Sequence, residues 1–199
     1  MVIIGVLGLL AVLLLVPLAK AKAKAPGINC TNNLKQVGLA FRMWSDDNGV
    51  YPMRLRTKDF DGPSYAMQQK MYVYFQTMSN ELNTPKIVVC PGDNRNSGTN
   101  FTTDFGNLKV SYFVGMDTDE TKPRMFLSGD RNLALNNSPI QTSLVSVKST
   151  DKLAWMQEDI HHGQGNVGLA DGSVRRFPSS GLQPALSHTG TNVNRLALP

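Results

Sequence analysis

The chain opens with an uninterrupted run of apolar side chains. Residues 1–19 carry no charge and no strongly polar group. At about 1.5 Å per residue they would form a helix of roughly 28 Å, close to the hydrocarbon thickness of a bilayer. No later stretch of the sequence is as long without a charge. The pattern therefore predicts one membrane-spanning stem helix over residues 1–25, followed by one globular domain over residues 26–199.

Helical spacing returns after a short interruption. Pro26-Gly27 is expected to break the stem helix, because proline lacks an amide donor and glycine lowers helix propensity. Apolar residues then recur every three or four positions as far as Asn48-Gly49. This spacing predicts an amphipathic helix over about residues 31–48. Thr31 or Asn32 is its expected N-cap.

The rest of the domain is predicted to be rich in strands. A further helix is expected at residues 66–82, and from about 86 to 178 short apolar runs are separated by turn-forming residues. The runs lie at residues 87–89, 110–114, 125–127, 144–147, 153–156 and, as a hairpin, 166–177. Asp171-Gly172 is the expected two-residue turn of the hairpin, since both residues tolerate positive φ. A helix followed by strands predicts an α+β fold, with the helix packed on an antiparallel sheet.

The excess positive charge is concentrated beside the apolar run. The chain has a net charge of +5, and three of its 20 basic residues are Lys20, Lys22 and Lys24. The other 17 basic residues and all 15 acidic residues lie in residues 26–199, where arginines are dispersed among acids. A nucleic-acid-binding surface would instead cluster basic and aromatic residues. The charge distribution therefore argues against a nucleic-acid partner.

Two features disagree about the compartment of the domain. The three lysines would keep it in the cytoplasm by the positive-inside rule. The chain's two cysteines, Cys30 and Cys90, would suit export, because a disulfide closing a loop of about 60 residues stabilises a fold by roughly 4 kcal/mol. Two unconnected buried thiols fit the residues equally well. A cleavable signal peptide ending at Ala19-Lys20-Ala21 is a minor alternative, since no basic residue precedes the apolar core.

One cluster around a histidine pair is a candidate for metal chemistry. Glu158, Asp159, His161 and His162 combine carboxylate and imidazole groups, which zinc and other transition ions bind. Their spacing matches no established metal motif. We therefore expect His161 to be a hydrogen-bonded structural residue that holds the loop entering the hairpin.

A second group is purely acidic. Asp117, Asp119 and Glu120 carry oxygen ligands of the kind that calcium binds, although a solvated turn is the simpler interpretation. Catalysis has no comparable support: the serines lack a Gly-x-Ser-x-Gly context, the cysteines lack a Cys-His motif, and Gly163-Gln164-Gly165 precedes a strand. The sequence predicts no catalytic residue and no cofactor, and calcium stays a candidate ion beside the transition metals considered for the histidine cluster.

The order of these segments resembles that of type IV pilin-like proteins. Residues 1–24 resemble their membrane helix, and residues 30–44 resemble the segment that follows it in a bacterial branch of pseudopilin-like proteins. His161, nine intervening residues and Asp171-Gly172 are similar to the signature of the prepilin-type His-x9-Asp-Gly domain. Two further segments resemble that branch: Val89-Cys90-Pro91-Gly92-Asp93 and Gly129-Asp130-Arg131-Asn132.

The resemblance implies a pilin-like fold and a non-enzymatic role. A pseudopilin-like subunit would assemble through its apolar N-terminal helix into a filament of the type II secretion or type IV pilus type. Its partners would be other pilin-like subunits, the assembly machinery and, through residues 1–19, membrane lipid. It would cross the bacterial inner membrane once and hold its head in the periplasm or on a surface filament, which overrides the lysine argument. In such an oxidising compartment Cys30 and Cys90 are expected to form a disulfide.

Two differences from the family pattern accompany the resemblance. The family's peptidase-site glycine and the Phe-Thr-Leu-x-Glu start of its mature chains are not in the sequence. We expect them upstream of Met1, and the alternative is a membrane-held relative that is not processed. Pro26-Gly27 interrupts a stem that usually continues without a break.

Two alternative functions use the same residues differently. One is an anchored or secreted extracytoplasmic binding module, for example for carbohydrate, that uses the loops before Asp171. The other is a metal-dependent hydrolase built around Glu158, Asp159, His161 and His162.

Overall fold

The computed structural model describes residues 3 and 27–199. Apart from Ile3, the expected stem helix of residues 1–25 and its break at Pro26 lie outside the described residues. Among the described residues, no helix has both the length and the apolar character needed to cross a bilayer. Residues 27–199 have an α+β fold with an antiparallel sheet, as the order of predicted elements indicates.

Helix α1 occupies residues 27–48 of the described chain. The side chains that it buries recur at helical spacing: Cys30, Leu34, Val37, Ala40, Phe41 and Trp44. The helix ends at Asn48. The next residue, Gly49, has a φ of 77°, and its amide donates to the carbonyl of Ser45 at 2.7 Å. The prediction that Thr31 or Asn32 is the N-cap is wrong, because the helix already includes Gly27. The Thr31 hydroxyl donates back to the Gly27 carbonyl at 3.1 Å, as happens inside a helix.

The described residues form nine strands in two antiparallel sheets. The strands are β1 (Tyr112–Gly115), β2 (Phe126–Asp130), β3 (Leu133–Leu135), β4 (Ser138–Pro139), β5 (Leu144–Lys148), β6 (Leu153–Trp155), β7 (Gln164–Leu169), β8 (Val174–Pro178) and β9 (Val193–Ala197). The six-stranded sheet has the order β5-β9-β1-β2-β7-β8, and the three-stranded sheet has the order β4-β3-β6. Contacts from α1 reach three neighbouring strands of the larger sheet: Cys30 lies beside Tyr112 of β1 and Asp130 of β2, and Thr31 lies beside Asn166 of β7.

Short helices connect α1 to the sheet. They are α2 (Gly62–Met67), α3 (Tyr72–Thr77) and α4 (Ser79–Leu82), with 3-10 turns at Pro52–Arg54, Pro85–Val88 and Asn107–Lys109. The single helix expected at residues 66–82 is thus divided, because Gln69 adopts a positive φ of 60° between α2 and α3. The prediction of a strand at residues 87–89 is wrong, because Pro85 starts a 3-10 turn there, with Thr84 as its cap.

The larger sheet is covered on both faces. Tyr112 and Val114 of β1 pack in the cluster that contains Phe41 of α1, whereas Phe113 between them packs in the cluster that contains Leu182. Leu182 belongs to α5 (Ser179–Ser187), which contacts β6 and β8. The alternation of β1 therefore separates a core on the α1 side from a core on the α5 side.

The strand-rich part extends further than the sequence predicts. Strands occupy residues 112–197 rather than about 86–178, because α5 and β9 follow the expected end. β9 lies inside the sheet, paired with both β5 and β1. Its buried residues are Asn194, Leu196 and Ala197, a pattern too short and too polar to be recognised without its neighbours.

Two glycine substitutions test this packing in opposite directions. A Cβ at Gly129 would lie 2.6 Å from the Phe113 ring and 2.8 Å from the Asn166 carbonyl, so Gly129→Ala should destabilise the protein by about 1–3 kcal/mol. A Cβ at Gly38 in α1 would meet no described atom within 4 Å, so Gly38→Ala should stabilise by about 0.5–1 kcal/mol. Urea unfolding of the full chain in detergent, followed by tryptophan fluorescence, measures both. Effects of the same sign would contradict the packing.

Candidate functional site

A disulfide joins the first described turns of α1 to the loop that precedes the sheet. Cys30 lies in α1 and Cys90 follows the 3-10 turn Pro85–Val88. Their Cα atoms are 4.9 Å apart, and the predicted bond between them is confirmed. Both side chains are completely buried. Beside the bond, the Asn33 side chain donates to the Val89 carbonyl at 3.0 Å, which adds a second link at the same place.

A buried carboxyl group lies next to the disulfide. Asp130 is the last residue of β2 and is inaccessible to solvent. Its Oδ2 accepts hydrogen bonds from the backbone and side-chain amides of Asn166, at 2.7 and 2.9 Å. Burial raises the pKa of Asp130 to about 7, although these two bonds favour the charged form. Both protonation states of Asp130 are therefore populated near neutral pH.

The other oxygen of Asp130 faces sulfur. Oδ1 lies 3.2 Å from Sγ of Cys30, and a sulfur in a disulfide carries no proton to donate. A hydrogen bond between these two atoms therefore requires the neutral acid, with Oδ1 as the donor. The Tyr112 hydroxyl lies 3.4 Å from the same sulfur and can also donate to it. The raised pKa of Asp130 and the disulfide sulfur beside it, which can only accept a hydrogen bond, both favour the neutral acid.

His161 completes this group of side chains. Its Nε2 lies 3.3 Å from Sγ of Cys90 and 3.5 Å from Oδ2 of Asp130, and its side chain is 5% exposed. The residue has a φ of 64° and lies in the loop that leads into β7, where the sequence predicts a structural histidine. Burial, followed by the charge of Arg176, lowers the pKa of His161. The ring is therefore neutral at physiological pH.

Cys30, Cys90, Asp130 and His161 together form what we call the Cys–Asp–His cluster. Two sulfurs, one carboxylate oxygen and one ring nitrogen lie within 4.8 Å of one another, and three of the four residues are fully buried. Four distant parts of the chain supply them: a helix, the loop before the sheet, the end of a central strand and the loop before the hairpin. The arrangement can hold a disulfide, and its atom types are also those that bind metal ions.

The residues of the hydrolase alternative are not brought together. Glu158 and His162 are exposed, and Asp159 is paired with Arg131 at 3.1 Å. Only His161 of the four belongs to the Cys–Asp–His cluster. Within the part of the chain that the structure describes, these four side chains therefore do not share a centre.

An arginine directly after β2 ties two loops together. Arg131 donates to both oxygens of Asp93, at 2.8 and 2.9 Å, and to both oxygens of Asp159, at 3.1 and 3.2 Å. The Asp93 side chain is inaccessible to solvent. Burial alone would raise the pKa of Asp93, but the hydrogen bonds from Arg131 and the charges of Arg131 and Arg95 outweigh it and lower the pKa. The loops on either side of the cluster are thereby held to the sheet.

The segment Gly129-Asp130-Arg131-Asn132, at the end of β2, resembles the pseudopilin-like branch, and the sequence alone assigned it no role. In the structure each of its four residues has a distinct contact. Gly129 leaves room for an aromatic ring of β1, Asp130 enters the cluster, and Arg131 binds two carboxylates. Asn132 donates at 2.6 Å to a carbonyl in the loop before β7. Neither Asp130 nor its partner Asn166 was expected at a site. The signal in the sequence that could have found Asp130 is the resemblance of this tetrapeptide.

The hairpin of β7 and β8 contains the expected turn in a different form. The Gly172 amide donates to the Leu169 carbonyl at 2.9 Å, and the Leu169 amide donates to the Ser173 carbonyl at 2.8 Å. This is a three-residue loop with a bulge, not a two-residue turn. Gly172 has a φ of 83°, whereas Asp171 is not in the positive-φ region. The Asp171 carboxylate instead accepts from the Ser173 amide at 2.8 Å.

The three acidic calcium candidates have separate partners. Their oxygens contact different groups: Asp117 pairs with Arg195 at 2.9 Å, Asp119 with Arg54 at 2.8 Å, and Glu120 with the Ser45 hydroxyl. Among the described residues they do not form a joint group of ligands. Calcium binding by these residues stays a prediction for which the structure offers no shared centre.

Comparison with known proteins adds no relative. No protein-family model, curated protein sequence or solved structure matches the chain.

The bonds of Arg131 predict a large effect of its removal. Arg131→Met leaves the buried Asp93 carboxylate without its cation, which should cost about 3 kcal/mol of unfolding free energy. Adding Asp93→Asn should recover part of this loss, because the uncompensated charge is then gone. The measurement is urea unfolding of the full chain in detergent.

An exposed ion pair provides the control for Arg131. Arg195→Met breaks the pair with Asp117, in which the arginine is 46% exposed, and should cost at most about 1 kcal/mol. If Arg131→Met costs no more than Arg195→Met, the buried pair does not hold the loops as described.

The geometry of the hairpin turn predicts a graded series at Gly172. A β-branched side chain at a φ of 83° is strained, so Gly172→Val should cost more than about 1–2 kcal/mol. Gly172→Asn should cost less, because asparagine tolerates this conformation. Asp171→Asn should cost under about 0.5 kcal/mol, since its side-chain oxygen can still accept from Ser173. Thermal unfolding of the full chain gives the order, and equal tolerance of valine and asparagine would refute it.

Proposed function

We propose that the chain is a pilin-like (pseudopilin) subunit that works by assembly rather than by catalysis. Its apolar N-terminal segment would insert in the bacterial inner membrane, and its folded head would lie in the periplasm or on a surface filament. Several copies would associate into a filament of the type II secretion or type IV pilus type. Its partners would be other pilin-like subunits, the machinery that assembles them, and membrane lipid along residues 1–19.

The observation that carries this proposal is a set of three exposed apolar side chains on the outward face of α1, which we call the outward stripe. The exposed polar residues Asn32, Lys35 and Asp46 lie on the same face. Ile28, Leu39 and Met43 are 60%, 58% and 46% exposed. With 3.6 residues per turn, these positions lie within about 60° of one another around the helix. They are opposite the buried stripe that includes Val37 and Phe41. A surface helix of a monomeric protein normally presents a polar face there, so the outward stripe is suited to contact with another helix.

The outward stripe follows the apolar run along the chain. A helix that is apolar all round, as residues 1–19 would be, can exchange lipid for neighbouring identical helices at little hydrophobic cost. α1 carries a narrower apolar stripe beyond this run, as expected where a bundle of stems gives way to separate heads. The Cys30–Cys90 disulfide supports an extracytoplasmic head, because disulfides persist in oxidising compartments.

The alternatives have less support among the described residues. The four side chains of the hydrolase alternative do not meet there. For a carbohydrate-binding module, the loops before Asp171 are occupied by contacts within the fold: His161 belongs to the cluster, and Asp159 is bound by Arg131. Assembly is therefore the function that the geometry favours.

Chemical cross-linking on the outward stripe tests the proposal. Both natural cysteines are in the disulfide, so Leu39→Cys supplies a single free thiol. In membranes of cells that express the full chain, a bismaleimide should convert a large share of this variant into a covalent dimer. Adding Ile28→Glu should lower the dimer yield, because the charge would be buried between two helices. Immunoblotting of the treated membranes measures the yield.

The matched control is another exposed leucine on the head. Leu108 is 76% exposed and lies in the 3-10 turn Asn107–Lys109, outside α1, so Leu108→Cys should stay monomeric under the same treatment. If Leu39→Cys yields no more dimer than Leu108→Cys, α1 is not an assembly surface and the proposal is wrong.

A further inference from the structure

The Cys–Asp–His cluster has the composition of a metal site as well as that of a disulfide. Two cysteine sulfurs, an imidazole nitrogen and a carboxylate oxygen are a donor set that suits zinc. The four donor atoms already lie within 4.8 Å of one another. None of the roles described above requires all four of these side chains to meet in one place.

Three contacts between the donor residues are close to the separations of a tetrahedral site. Zinc–sulfur bonds of about 2.3 Å and zinc–nitrogen or zinc–oxygen bonds of about 2.0–2.2 Å place neighbouring ligand atoms about 3.3–3.8 Å apart. The cluster has separations of 3.2 Å between Cys30 Sγ and Asp130 Oδ1, 3.3 Å between Cys90 Sγ and His161 Nε2, and 3.5 Å between His161 Nε2 and Asp130 Oδ2. The first and third of these contacts use different oxygens of Asp130. To bind one ion, the two sulfurs of the disulfide would have to move apart, and any pair of donors near the 4.8 Å limit would have to move closer.

The surroundings are those of a closed structural site. Cys30, Cys90 and Asp130 are fully buried, and the His161 side chain is 5% exposed. The two amides of Asn166 already donate to Asp130 Oδ2, and such second contacts orient a carboxylate ligand. Four protein ligands leave no position for a water molecule, so this centre would stabilise the fold and would not hydrolyse a substrate.

We propose that the Cys–Asp–His cluster binds one zinc ion when the Cys30–Cys90 disulfide is reduced. A dithiol reductant supplies two electrons and two protons, so the S–S bond breaks, two thiols form, and the reductant becomes a disulfide. Zinc then displaces both thiol protons, and the Asp130 proton where that group is neutral, and releases them to solvent. It binds the two thiolates, the His161 ring nitrogen and an Asp130 oxygen. The disulfide and the ion are thus alternative ways to hold α1 against the loop at Cys90.

Because the disulfide and the zinc ion exclude each other, the compartment of the chain determines which of the two the cluster holds. In a reducing compartment the bond is open and the ion can bind. In an oxidising one, a disulfide oxidant takes two electrons from the two thiolates and becomes a dithiol, the Cys30–Cys90 bond re-forms, and the ion is released. The inference does not depend on filament assembly, since it concerns only the interior of the head.

Cobalt titration of the untagged full chain in detergent tests the inference. Co²⁺ substitutes for zinc and, when tetrahedral and thiolate-bound, shows a thiolate-to-cobalt charge-transfer band and intense visible bands. The reduced chain should bind one Co²⁺ with this spectrum, and zinc should displace it. The oxidised chain should not show it. Asp130→Asn and His161→Ala should each weaken binding by about tenfold or more, since even outer contacts of a metal ligand contribute that much.

His162→Ala is the matched control, because this neighbouring histidine is exposed and outside the cluster. Its affinity should be unchanged. Absence of the spectrum in the reduced chain, equal binding by the oxidised chain, or insensitivity to Asp130→Asn and His161→Ala would each overturn the inference. If reduction unfolds the chain, recovery of its near-ultraviolet circular dichroism on adding zinc supports the site, and failure to recover refutes it.

Discussion

The arrangement of the head depends on how one buried carboxyl group is satisfied. Asp130 has no contact with water, and leaving such a group without hydrogen bonds costs about 1–3 kcal/mol or more. Asn166 supplies two of them, and its own side-chain oxygen lies 3.0 Å from the hydroxyl of Thr31. These contacts pass from β2 to β7 to α1. All of these contacts can form together only when α1 occupies one particular position along the sheet.

The disulfide secures the same position by a different physical means. It closes a loop of 60 residues and so removes conformational freedom from the unfolded chain, worth about 4 kcal/mol. Arg131 then holds the flanking loops through Asp93 and Asp159. With the register of α1 set in this way, its outward residues, including Leu39, are also presented in one direction. The buried polar contacts and the proposed assembly surface therefore lie on different faces of the same helix, α1.

Local sequence patterns were sufficient where the apolar spacing is regular over many residues. The course of α1 to Asn48 and the hairpin of β7 and β8 are examples. Elements that depend on neighbours could not be predicted in this way. Residues 66–82 have helical spacing, yet the chain turns at Gln69, whose carbonyl accepts a hydrogen bond from Asn107 at 2.7 Å. β9 has a weak pattern of its own and is a strand because β5 and β1 pair with both of its edges.

By itself, the sequence determined which reactive side chains the head contains, and the cysteine count with the family resemblance identified the Cys30–Cys90 pair. Only the tertiary structure decided which carboxylate accompanies them. Asp130 is 100 residues from Cys30 along the chain, whereas Asp159 is two residues from His161 and yet binds Arg131 instead. The physical reason is that strand pairing and the exclusion of water determine which polar groups meet in the interior. Distance along the chain does not determine it.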